Sequence, residues 1–90
     1  MNIREYRNLI AKVTEAANAL QLAKTGHEQR DAAVTLDGWL QTLKTADFKY
    51  RVENADIWLM SDRVTETATD LLARKRAEFA KEDTAMGELQ

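Results

Sequence analysis

Ninety residues with a net charge of −2, 44% of them hydrophobic and 31% charged, make one globular domain with a single core. The absence of cysteine excludes a disulfide framework and a thiolate metal site, and no apolar run reaches the ~18–20 residues of a membrane span. The slight excess of acid disfavours a dedicated nucleic-acid binder, and no charged-then-apolar leader precedes Arg4, Glu5 and Arg7, so the expected location is cytoplasmic.

Proline is absent and the glycines are three, at 26, 38 and 87, too few for the turns of a sheet protein. Ile3, Tyr6, Ile10, Val13, Ala17 and Leu20 recur at spacings of three and four, the stripe of a helix packed along its length. Leu9, Ala16 and Ala23 widen it. This first helix is predicted to stop near Lys24, with Gly26 as the left-handed residue after it. Thr25-Gly26-His27-Glu28 reads as a capping box that starts the next helix at once, so the two helices run antiparallel.

The second helix is predicted over 28–45, with Ala33, Leu36, Leu40 and Leu43 as its core line and Ala32 and Trp39 beside it. Gly38 within it predicts the close approach of a neighbouring helix. The stretch 47–60 supports two readings. Phe48 to Val52 alternates like a strand, with Glu53 to Asp56 as a turn into Ile57 to Met60; Phe48, Val52, Ala55 and Leu59 also form a helical stripe. From Ser61 a helical face returns through Val64, Ala68, Leu71, Leu72 and Phe79, with Ile57 and Met60 leading into it. Lys75 lies on that face, and Asp62, Glu66 and Asp70 lie opposite.

The two stripes on either side of residue 60 point nearly opposite ways. One straight helix over 47–81 would therefore need a break near Asp56–Asp62, or two partners, one of them a second copy of the chain. The expected fold is mainly α: a small antiparallel bundle of three main helices, with 47–60 either a further helical segment or a β-hairpin. Residues 1–81 form the domain. Residues 82–90, which carry three acids and no base, form a frayed acidic tail.

Catalytic signals are sparse. His27 is the only histidine, at a helix junction where an exposed capping role is expected, and no glycine-rich phosphate loop is present. Two carboxylate pairs at i, i+3 stand out, Glu28 with Asp31 and Glu53 with Asp56. On facing helices they could gather four carboxylates around magnesium. The run Val52-Glu53-Asn54-Ala55-Asp56-Ile57-Trp58-Leu59 resembles the acidic helix of the MazG-type nucleotide pyrophosphohydrolases. The resemblance spans some thirty residues, and it implies a small all-α oligomer that uses magnesium on a nucleoside triphosphate. The chain departs from that pattern in carrying Asp31 for glutamate and polar Gln29-Arg30 before it.

Arg74-Lys75-Arg76 is the densest basic run, a phosphate-contacting patch in a nucleic-acid reading, but Glu78, Glu82 and Asp83 dilute it. Trp58 and Tyr50 fall off the stripes of their segment. With Phe48 and Met60 they make the expected interaction surface, since a surface tryptophan is a typical interface anchor. The sequence therefore favours a non-catalytic, cytoplasmic protein-interaction or regulatory protein that needs no cofactor. An inhibitor, adaptor or accessory protein of the kind phages and bacteria carry has this appearance, and it acts by covering a partner protein or a second copy in a homodimer. The alternatives are the magnesium-dependent hydrolase and a nucleic-acid-binding regulator.

Overall fold

The apolar repeat at the start of the chain winds into α1, Ile3–Leu22, followed by α2, Gly26–Lys49, and α3, Ala55–Leu89. The computed structural model describes the backbone of residues 3–49 and 55–89 and the side chains of 3–46 and 59–83; these contain no strand. The fold is the expected three-helix antiparallel bundle, each helix touching the other two and α1 packing most extensively on α2.

Tyr6, Ile10, Val13 and Leu20 of α1 are buried as the repeat predicts. Ala16 is buried and Ala17 only half-buried, so the packed seam leans towards the second row. Ile3, in the first turn of α1, stays 42% exposed.

The α1–α2 connection corrects one expectation. Gly26 has no positive φ; it is the first residue of α2 and not a left-handed terminator of α1. α1 ends at Leu22, and the Gln29 side-chain amide donates to the Ala23 carbonyl at 3.2 Å, satisfying an acceptor that a glycine cap would have served. The capping box is present. The Glu28 N–H donates to Thr25 Oγ1 at 3.1 Å, and Glu28 Oε2 accepts from the Lys24 N–H at 3.3 Å, one residue before the usual partner.

In α2 the predicted line Ala33, Leu36, Leu40 and Leu43 is buried, and Ala46 carries it one turn further. Trp39 and Ala32 pack beside it. Gly38 does not mark a close approach. It is exposed, and a Cβ built there meets nothing within 4 Å. Gly38→Ala is therefore expected to stabilise the protein by about 0.5–1 kcal/mol, because alanine restricts the unfolded chain and favours helix without a clash. A thermal melt by circular dichroism should rise by about 4 °C; a fall would mean that the site is packed.

The stretch 47–60 is neither a separate helix nor a hairpin where it is described. Residues 47–49 complete α2, beyond the predicted end at Thr45, and 55–60 open α3, ahead of the predicted start at Ser61. Tyr50 to Asn54 lie outside the described residues. The two opposed stripes thus belong to different helices up to residue 49. Only Leu59 of the first stripe is left as a described side chain on α3, and it is 55% exposed.

Ala68, Leu71, Leu72 and Phe79 form the buried face of α3, with Val64 against it and Ser61, fully buried, at its start. Lys75 behaves as its position predicts. Its side chain is 20% exposed along this face, and its ammonium reaches Glu78 at 3.5 Å. At 1.5 Å per residue α3 is about 52 Å long, against about 30 Å for α1. It sets the 55 Å long axis of the molecule and a radius of gyration of 15.3 Å, above the ~12 Å of a compact chain of this length. Through Glu82 and Asp83 and on to Leu89, α3 runs across the stretch expected to fray.

Candidate functional site

The α2 amino terminus holds the first carboxylate pair, and both members have local partners. Glu28 caps the helix. Asp31 Oδ2 lies 3.3 Å from His27 Nε2, one turn back on a fully solvated face where both side chains are more than 70% exposed. Neighbouring Arg30 fixes the level of this end against α3, pairing with Asp83 at 2.9 Å and Glu82 at 3.8 Å while its guanidinium lies 4.7 Å above the Phe79 ring.

Asp56 stands twenty-six residues before Glu82 on α3, about 39 Å along the helix. The first pair and the backbone of Asp56 are therefore at opposite ends of the bundle. The Asp56 side chain and all of Glu53 lie outside the described residues. Among the described residues, no cluster of three or more histidine or carboxylate side chains is placed to hold a metal ion.

The basic run is divided by its own helix. Lys75 lies along the core face and pairs with Glu78, and Arg76 reaches across to Asp37 on α2 at 3.5 Å. Arg74 alone faces solvent without an ion pair among the described residues.

Of the residues expected to form an interaction surface, Met60 is described and is 56% exposed. The side chains of Phe48 and Trp58, and all of Tyr50, lie outside the description. Leu59, beside Met60, is equally exposed and was not singled out by the sequence, although it is the last member of the stripe that starts at Phe48. Successive residues on a helix point about 100° apart, so two exposed neighbours mean that a broad arc of α3 is uncovered here by α1 and α2. An apolar side chain left in water forgoes about 25 cal/mol per Å² of burial, which a partner surface could recover.

A second feature is invisible in any one helix. Between α1 and α3 lies a groove of about 180 Å³, lined by Thr14, Ala17, Asn18 and Gln21 of α1 and by Arg63, Val64, Thr67 and Ala68 of α3.

No helix among the described residues is long and apolar enough to cross a membrane. Comparison of the chain with protein-family models, with curated proteins and with solved structures gives no match.

Proposed function

We propose that this is a non-catalytic cytoplasmic interaction or regulatory protein, of inhibitor, adaptor or accessory type, that covers a partner protein through the start of α3. The supporting observation is the exposed pair Leu59–Met60, which directly follows Trp58 in the sequence. A second copy of the chain is the partner to test first.

Light scattering behind a sizing column, over a range of loading concentrations, gives the test. The wild-type chain is expected to dimerise. A Leu59→Glu/Met60→Glu double variant is expected to dissociate at least tenfold more readily while melting within about 4 °C of wild type, because substitutions at exposed sites alter stability little. Trp58→Ala is expected likewise to weaken association more than folding. A monomer at every concentration, or parallel losses of association and stability, overturns the proposal. Phosphate released from nucleoside triphosphates and magnesium by the same fractions replaces it with the hydrolase reading.

A further inference from the structure

We propose that two copies of this chain pair antiparallel through the outer face of α3, the exposed row Leu59, Arg63, Glu66, Asp70 and Ala73 of one lying along the same row of the other. This rests on reading the start of α3 as an association surface, and it names the partner, the orientation and the residues that set the register.

The five residues recur at spacings of four and three, the repeat that keeps side chains on one face of a helix packed against another helix. That face points away from the core. Leu59 lies nine residues before the buried Ala68, which is about two and a half helical turns and so the opposite side of α3. All five are exposed, so neither α1 nor α2 covers the row, and exposed Met60 flanks it at the Leu59 end.

The charges in the row select what covers it. Arg63, Glu66 and Asp70 make no ion pair among the described residues. A second copy laid parallel in register would set arginine against arginine and acid against acid. An antiparallel copy can set Arg63 of each chain opposite Glu66 of the other, with Asp70 one turn away. The two-fold axis makes each such pairing occur twice. The same register brings Leu59 level with Asp70 and within a turn of Ala73 of the other chain, so apolar contacts close both ends of a charged centre. Sliding one copy by a heptad either sets Glu66 against Asp70 or carries both acids past Arg63. The row, 59–73, is about 22 Å long, which places the interface at the small end, below roughly 1,200 Å². The dimer is therefore weak and dissociates on dilution.

Sedimentation velocity of the full chain, over a range of concentrations, gives the test. Arg63→Glu and Glu66→Arg/Asp70→Arg are each expected to raise the dimer dissociation constant about tenfold, because each sets like charges face to face. The triple variant Arg63→Glu/Glu66→Arg/Asp70→Arg exchanges the signs and should recover the wild-type constant. Wild-type association should also weaken in about 1 M salt, where the screening length falls to about 3 Å. The substituted positions are exposed, so melts within about 4 °C of wild type show that the fold is kept. Reversals that leave association unchanged, a triple variant that melts as wild type yet stays monomeric, or a dimer strengthened by salt overturns the antiparallel register. Leu59→Glu/Met60→Glu probes the surface without touching these charges, so a dimer broken by it and indifferent to the reversals overturns this pairing and leaves the broader reading standing. A wild-type monomer at every concentration overturns both.

Discussion

Replacing Leu36 with alanine should lower the unfolding free energy by about 3 kcal/mol, the largest single effect expected in α2. Leu36 has no solvent exposure and sits between Ala33 and Leu40 on the face that α2 turns to the rest of the core, where Val13 of α1 is equally buried. Truncation removes about 1–2 kcal/mol of transfer free energy and leaves a cavity that three rigid helices close only in part. For a chain of this size total stability is roughly 5–9 kcal/mol, so the change is a large fraction of the whole. The melting temperature should fall by about 15 °C, read by circular dichroism at 222 nm. A fall under about 4 °C would show that α2 is not packed as described.

Phe79→Ala should be nearly as costly, about 3 kcal/mol, but its effect should be regional. Phe79 is only 8% exposed, and α1, which ends at Leu22, is the shortest of the three helices. The distal part of α3 is held to the α2 amino terminus by this ring and by Arg30, which stacks on it and reaches Glu82 and Asp83. Hydrogen exchange should therefore quicken first over 76–83 while the middle of α1 stays protected. Arg30→Ala should lose only about 1 kcal/mol. Its side chain is 42% exposed and its acidic partners more so, which screens the ion pairs and leaves the cation–π contact as the main loss. Equal acceleration along the whole chain in Phe79→Ala would show that α3 docks as one unit and that the ring has no regional role.

The largest and the smallest of these effects lie on residues whose roles were legible to different degrees. Leu36 and Phe79 were both assigned to buried faces from spacing alone. Gly38 was not, because a glycine inside a helix has the same sequence signature whether a neighbour touches it or water does. Arg30 was read only as a polar neighbour of Asp31. Its contacts with Phe79 and Asp83 cross some fifty residues of chain, a separation at which periodicity carries no information.

The sequence by itself determined the helical class, the three helices, the face each one buries and the Thr25–Glu28 cap. These follow from interactions within one or two helical turns, where residue spacing sets geometry directly. The tertiary structure alone decided how far each helix runs, which faces stay uncovered and what lies level with what. It left Leu59 and Met60 in water, opened a groove where Ala17 meets Ala68, and put Asp31 and Asp56 at opposite ends. Each of these depends on the axial offset and rotation of one helix against another. Those quantities are fixed by the summed packing of the whole core, and no single stretch of sequence encodes them.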